Sequence, residues 1–247
     1  MNLADLINAI EKSIKRNTHP SYSNEHHGRI SSGINKIDQA TGGGIERGYL
    51  AEIYGASLSG KTALAYQYIK SLNNYALLMD INNSFDYDKA IKMGIDTEKL
   101  IVAKLTSPEE ICIMVRAVAS LNLVHLIVID DLASINYPAD LKEANSVTSF
   151  KTDLQDAISG SMSAVLIINQ IRTKPGYGDV PYGPRTSRIE SLSIQTTRLG
   201  ALSKKHQRVG CRIRVDIRLS RTHVPGECTI LDILFDGGID YGTIQLT

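Results

Sequence analysis

Eight consecutive residues carry the clearest chemistry in the chain. Gly55-Ala56-Ser57-Leu58-Ser59-Gly60-Lys61-Thr62 follows the pattern G-x-x-x-x-G-K-[ST], enters from the strand-like run Glu52-Ile53-Tyr54 and leads into the helix-forming stretch Ala63 to Lys70. Two glycines let a loop turn its backbone N–H groups inward, the lysine reaches the outer phosphates, and the threonine hydroxyl can hold a magnesium ion. The first turn of the following helix adds favourable partial charge for an anion. A strand before and a helix after are the context this mechanism needs, so the spacing implies a bound nucleoside triphosphate with Mg2+.

Two further runs end in acid. Tyr75 to Asp80 and Val124 to Asp130 are apolar stretches of strand length, each closed by a carboxylate. Continuous apolar runs of this kind are strands covered on both faces. Asp130, at the end of the second, is placed to hold magnesium through water. Asp131 follows it directly and fits the start of the next segment as a helix cap. His125, inside the same run, reads as a core histidine with its hydrogen bonds satisfied. Ser163 to Asn169 is another buried strand, closed by Gln170.

From Ile171 to Arg188 the chain changes character. Pro175, Gly176, Gly178, Pro181, Gly183 and Pro184 interrupt it, Arg172, Lys174, Arg185 and Arg188 charge it, and Tyr177 and Tyr182 are interleaved. Cations contact phosphates and tyrosines stack on bases, so this composition suits a single-stranded nucleic acid; an exposed loop has the same composition.

The remaining elements position these groups. Leu3, Leu6, Ile7, Ile10 and Ile14 form one helical stripe with Asn2 as a cap and Lys15 and Arg16 near the far end. The polar segment 17–29, with His19, His26 and His27 in solvated positions, reads as a linker, so the helix either folds back on its own domain or docks on a neighbour. Ser31 to Asp38 and the glycines at 42–44 and 48 form a short helix and a turn feeding the strand Tyr49 to Tyr54. Asp86 to Gly94 is a helical pattern. Ser107-Pro108-Glu109-Glu110 is a capping box opening a helix through about Leu121. Asn136 to Ser149 is polar and irregular, and Phe150, Leu154 and Ile158 form a helical stripe ending at Gly160. Gln195 to Leu202, Arg212 to Leu219 and Cys228 to Phe235 read as strands carrying a basic end. That charge is either a solvated face or a border to nucleic acid or a neighbour's triphosphate.

The 247 residues include 27 Lys+Arg and 26 Asp+Glu, a formal net charge of +1. Any nucleic-acid contact must therefore come from a local patch. Cys112, Cys211 and Cys228 are far apart and odd in number, which argues against a disulfide framework or a zinc site and for buried apolar packing. With no membrane-length apolar run and no signal-peptide pattern, a cytoplasmic protein with no membrane partner is expected.

Taken together, the phosphate loop, the strands ending in Asp80 and Asp130, Ile168-Asn169-Gln170-Ile171-Arg172 and Ile233-Leu234-Phe235-Asp236-Gly237-Gly238-Ile239 resemble the RecA/RadA recombinase family. The resemblance covers nearly the whole chain, and its C-terminal pattern is closer to the bacterial branch. It implies an α/β fold: a RecA-like P-loop NTPase core at 30–247, with a mostly parallel twisted sheet flanked by helices. Residues 1–29 would be the helix and linker of an oligomerisation arm that packs on the adjacent subunit. ATP and Mg2+ would be held by the loop, with Thr62 and Asp130 at the metal, Asp86 at the adenine amino group and Gln170 at the terminal phosphate. Single-stranded DNA would lie on two loops, 136–149 and 174–188, contacted by Arg172, Lys174, Arg185 and Arg188. Arg221 would reach across to a neighbour's phosphates.

The chain also departs from the family. Asn82 stands where a glutamate activates the attacking water, and an amide cannot accept that proton. DNA-dependent ATPase activity is expected to be slow or lost unless Asp86 or Asp131 substitutes. Lys89 replaces the aromatic residue that stacks on adenine, Leu219 replaces the second bridging cation, the second loop lacks the family's run of small residues, and no counterpart of the family's separate C-terminal domain is expected. The leading expectation is an ATP-binding, single-stranded-DNA-binding protein of homologous recombination and repair, self-associating and nucleoid-associated. The alternatives are a catalytically silent paralogue serving a recombinase or polymerase and, third, a small-molecule kinase.

Overall fold

The computed structural model describes residues 2–16, 28–137, 143–174, 178–181, 189–204, 206–235 and 238–240. In chain order the helices are α1 (Leu3–Arg16), α2 (Asn35–Thr41), α3 (Lys61–Ser71), α4 (Tyr87–Lys92), α5 (Pro108–Leu121) and α6 (Glu143–Ile158). The strands are β1 (Arg29–Ile30), β2 (Ile45–Glu46), β3 (Leu50–Gly55), β4 (Tyr75–Asp80), β5 (Leu100–Ala103), β6 (Val124–Asp130), β7 (Ala164–Lys174), β8 (Gly178–Pro181), β9 (Glu190–Lys204), β10 (Gln207–Ser220), β11 (Cys228–Leu234) and β12 (Gly238–Asp240).

One sheet dominates, in the order β12-β11-β10-β9-β3-β7-β6-β4-β5, with β8 paired to β7. The six strands from β9 through β5 run parallel. β10, β11 and β12 extend the sheet antiparallel, and β7–β8 is an antiparallel hairpin. β6 shows why its sequence is apolar throughout: Leu126 and Val128 enter the core on one face, Ile127 and Ile129 the core on the other. Successive strand side chains point to opposite faces, so a sheet covered on both sides needs an unbroken apolar run. α2 and α3 cover the first face; α1, α5 and α6 cover the second.

Local chemistry sets the boundaries. Asn2 Oδ1 accepts from the Asp5 amide at 2.8 Å to start α1. Asp38 accepts from the Ser32 amide at 2.8 Å and its hydroxyl at 2.7 Å, fixing the turn that opens α2. Ser107 accepts from the Glu110 amide at 3.4 Å, with Pro108 in the first turn of α5. The capping box is not reciprocal in the expected way, because the Glu109 carboxylate accepts from the Ser107 hydroxyl.

Of the two fates open to α1, the structure takes the first. Leu6 and Ile10 are buried in the core shared with α5 and α6. The Ser13 hydroxyl lies 3.3 Å from the Ala117 carbonyl and 2.8 Å from the Ser120 hydroxyl. Its own chain thus covers Leu6 and Ile10 fully and Leu3 and Ile14 in part, while Ile7 remains exposed.

Four expectations need correction. α6 begins at Glu143, so the second half of the irregular segment 136–149 is helical; Val147 is fully buried and Ser146 nearly so, and that packing overrides weak helix propensity. β7 does not stop at Gln170 but continues to Lys174, because β8 pairs with it from Ile171 onward. Only Cys211 is buried; Cys112 is half-buried and Cys228 exposed. His125 is only partly satisfied, since its Nδ1 is buried without a hydrogen-bond partner. Burial and then Arg47 push its pKa down, against an opposing hydrogen bond with the Asn122 backbone. The three linker histidines lie outside the described residues.

Candidate functional site

The parallel strands end at one edge of the sheet, and that edge assembles the expected groups. Gly55 pairs with Gln170 of β7 on one side and with Thr196 of β9 on the other, while Asp80 pairs with Asp130. Ligands of open α/β sheets sit outside the carboxyl ends of the strands. The loop from Gly55 to Gly60 crosses this edge with Ala56, Ser57 and Leu58 exposed.

The glycines are required sterically. A side chain at Gly55 would come within 2.6 Å of the Ser59 and Thr196 hydroxyl oxygens, and one at Gly60, whose φ is 89°, would meet Ile233 of β11. Ser59 is fully buried, with its hydroxyl 2.7 Å from that of Thr196, so it braces the loop from below. Lys61 Nζ donates to the carbonyls of Gly55 at 3.1 Å and Ala56 at 2.8 Å. Burial pushes the Lys61 ammonium down, opposed by the charges of Asp131 and Asp130.

The Thr62 hydroxyl donates to Asp130 Oδ2 at 3.1 Å. Burial pushes the Asp130 carboxyl up to about 6; the Thr62 hydrogen bond works against this, Asp131 and Asp80 add to it, and Lys61 opposes it. A hydroxyl and a carboxylate at the head of a helix, with more negative than positive charge around them, are the hard oxygen donors that suit Mg2+. The cradle and this donor set fit a magnesium–triphosphate ligand. Among the described residues no cluster of three His, Cys, Asp or Glu side chains has metal-binding geometry.

Asp80 is committed elsewhere. Its carboxylate accepts from the amides of Ser84 at 2.8 Å and Phe85 at 2.9 Å, which pins the turn after β4. Asn82 is exposed on that turn. Asp86 caps α4, its Oδ1 accepting from the Lys89 amide at 3.1 Å. Asp131 departs from the cap expectation: its side chain makes no cap bond to the turn Leu132–Ser134. Instead Oδ2 accepts from Gln170 Nε2 at 2.7 Å and Oδ1 from the Ser134 hydroxyl at 2.7 Å.

Arg221 is not brought to this edge. It lies beyond the end of β10, its amide donating to the Ser191 carbonyl at 3.0 Å and its guanidinium 5.0 Å from the ring centroid of Tyr49. Tyr49 precedes the first residue of β3, so Arg221 and the loop stand at opposite ends of that strand, roughly 17–20 Å apart. Arg172 and Lys174 lie in the hairpin, their backbones opposite Val180 and Gly178. Arg185 and Arg188 lie outside the described residues. Three arginines of β10 are paired: Arg212 makes two bonds to Asp232 at 2.7 and 2.8 Å, Arg214 pairs with Asp216 at 2.7 Å, and Arg218 donates to Gln195 at 2.7 Å.

Two features escaped the sequence reading. Lys151 of α6 is buried between Glu52 and Glu190, at 2.9 and 2.7 Å, and Asn169 Nδ2 donates to the same Glu52 oxygen at 2.8 Å. Burial alone would depress the Lys151 ammonium, but the two carboxylates outweigh it and the net shift is upward. The available signal was a lysine on the apolar stripe Val147, Lys151, Leu154, Ile158 facing a glutamate within an apolar strand. The second is an aromatic series: Tyr66 of α3 packs edge-on against Phe85 at 6.0 Å, and Phe85 against the exposed Tyr87 at 4.8 Å.

Comparison with known proteins agrees with this geometry. Residues 2–240 match the family described as RecA N-terminal domain. The chain is 30 % identical over 231 residues to Protein RecA of Rhodopirellula baltica, covering 86 % of this chain and 62 % of that protein. It is likewise 30 % identical over 231 residues to Protein RecA of Ureaplasma parvum, covering 86 % and 69 %. It is 32 % identical over 232 residues to Protein RecA of Chlorobaculum tepidum, covering 85 % and 66 %. The chain thus spans about two thirds of the length of these relatives. Sheet order, phosphate loop, strand-end acids and sequence similarity agree: the chain belongs to the RecA family.

Proposed function

We propose that this chain binds ATP with Mg2+ on Gly55 to Thr62 and, in that state, binds single-stranded DNA through the segment downstream of Gln170, in homologous recombination and DNA repair. The observation that carries this reading is one continuous strand. Gln170 sits beside Gly55 at the cradle, and four residues later the same strand, β7, ends at Lys174 in the hairpin with β8. A group that contacts the terminal phosphate is therefore covalently continuous with the basic segment.

In this reading the inward backbone amides of the loop and Lys61 bind the phosphates, with Lys61 exchanging the carbonyls of Gly55 and Ala56 for phosphate oxygens. Thr62 and Asp130 would hold the magnesium ion, which neutralises charge on the phosphate oxygens when bound. Asp86 would accept from the adenine amino group, and the neighbouring exposed ring of Tyr87 offers a surface for the base to stack on. Gln170 reports the terminal phosphate. Arg221, remote from its own cradle, serves the site of a neighbour in a head-to-tail assembly, and α1 joins copies by exchanging onto the α5 of an adjacent chain. Such an assembly would work in the cytoplasm, on the nucleoid.

Fluorescence anisotropy with single-stranded oligonucleotides tests the DNA assignment. Four phosphate contacts from Arg172, Lys174, Arg185 and Arg188 give a slope of log affinity against log salt of roughly −3, which Arg185→Glu with Arg188→Glu should make shallower. Unchanged affinity and slope in that variant would remove the segment from the interface.

Asn82 favours a second reading, a catalytically silent accessory in which ATP sets conformation and the protein acts on a recombinase or polymerase. Slow phosphate release with and without single-stranded DNA, rising in Asn82→Glu, is expected if only the water-activating base is lacking. Robust turnover by the unmodified chain would eliminate this second reading.

A further inference from the structure

We propose that Asp131 is a positioning residue that withholds Gln170 from the nucleotide, so that the terminal phosphate must take the glutamine amide away from a carboxylate before the site can register it. This inference rests on the nucleotide reading above and names how that site is held in check.

The geometry is specific. Asp131 Oδ2 accepts from Gln170 Nε2 at 2.7 Å, and Oδ1 accepts from the Ser134 hydroxyl at 2.7 Å. Both carboxylate oxygens are engaged on a residue only 6 % exposed, with its carbonyl accepting from the Ser134 amide at 3.2 Å, so the acceptor is fixed in place. The other partner can move. Gln170 is an exposed residue whose backbone is anchored, its amide donating to Asn169 Oδ1 at 2.8 Å while Asn169 Nδ2 donates to Glu52 at 2.8 Å. With the strand held, transfer of the amide from Asp131 to a ligand over Gly55, its register partner, needs only side-chain rotation.

Asp131 directly follows Asp130, which accepts from the Thr62 hydroxyl of the loop's helix, so it stands at the same cradle, and its charge acts on both Lys61 and Asp130. A hydrogen bond to a carboxylate is stronger than one to a neutral acceptor, so the lock opposes transfer of the amide. A ligand shifts a two-state element only by its differential interaction with the two states. Here the difference lies between a triphosphate, which offers Gln170 an anionic acceptor in exchange, and a diphosphate, which offers none.

The test measures, by calorimetry with Mg2+, the affinities of ADP and of a non-hydrolysable ATP analogue for the full chain, Asp131→Ala, Asp131→Asn, Gln170→Ala and the Asp131→Ala/Gln170→Ala double variant. Loss of the lock should tighten the triphosphate analogue by about tenfold, the equivalent of ~1.4 kcal/mol, with a smaller change for ADP. Asp131→Asn, which keeps a neutral acceptor, should fall between. The selective gain should vanish in the Gln170→Ala background. If Asp131→Ala tightens both nucleotides equally, or does so whether or not Gln170 is present, Asp131 acts as bulk charge and the inference is wrong.

A nucleotide-free readout separates the inference from the reading it rests on. The side-chain NH2 resonances of Gln170, observed by 15N NMR on the folded chain, should shift in Asp131→Asn and more in Asp131→Ala. Resonances that stay put overturn the lock whatever the nucleotide data. Shifting resonances in a chain that binds neither nucleotide uphold the contact and overturn the nucleotide reading instead.

Discussion

Asp130 gives the site a pH signature whose sign is opposite to that of most carboxylates. Burial holds its carboxyl up at about 6, with Asp131 and Asp80 adding to the shift and Thr62 and Lys61 resisting it. The folded chain therefore holds this proton more tightly than the unfolded chain, where an aspartate titrates near 4 (about 3.9). The stabilisation is fully present below that lower value and is lost as the pH rises through about 6. Urea unfolding without nucleotide or metal should show a decline between about pH 4 and pH 6, on the order of 3 kcal/mol, that Asp130→Asn abolishes. Magnesium, which needs the ionised carboxylate, should stabilise the chain more above that window than below it. Identical pH profiles for the two proteins would show that burial does not raise the Asp130 carboxyl. At this scale the loop was legible because its glycines, lysine and threonine are set by sequence spacing alone. The hold of Asp131 on Gln170 was not, because those partners are 39 positions apart and either side chain has many other possible acceptors or donors.

The elements were legible where packing and propensity agree. β4, α5 and β6 begin and end where the apolar runs and the Ser107-Pro108 start signal place them. They were misread where the two conflict: the polar beginning of α6 is helical because Val147 is buried, and β7 outruns its apolar stretch because β8 supplies a ladder. The ion network of α6 is the largest omission at this level. Lys151 bridges elements 99 and 39 residues away, and no local pattern encodes such a pairing. It ties the helix that follows 138–142 to β3, which enters the phosphate loop, and to β9, which emerges from 182–188. Removing one member of a buried charge group strands the others, so Lys151→Met should cost about 3–5 kcal/mol in denaturant unfolding. Adding Glu52→Gln should recover part of that loss. A single variant as stable as its parent would mean that the carboxylates are solvated and the network is peripheral.

At the scale of the whole molecule, the net charge is near zero and the arginine–aspartate pairs of β10 and β11 neutralise part of the basic end, so the proposed DNA contact has to come from a local cluster such as Arg172, Lys174, Arg185 and Arg188. Arg221, far from its own cradle, has a role at a triphosphate only in the proposed assembly of copies, whereas α1 packs on its own α5 and would have to exchange to join them. The proposed function requires coupling between cradle and segment, and one titration addresses it. A labelled single-stranded oligonucleotide is titrated at fixed moderate salt against the parent chain and Lys61→Ala, without nucleotide, with ADP, and with a non-hydrolysable ATP analogue, all with Mg2+. The parent should bind at least about tenfold tighter with the triphosphate analogue than in the other two conditions, and Lys61→Ala should show no such gain. Equal affinity for the oligonucleotide in both proteins under all three conditions would contradict the coupling directly.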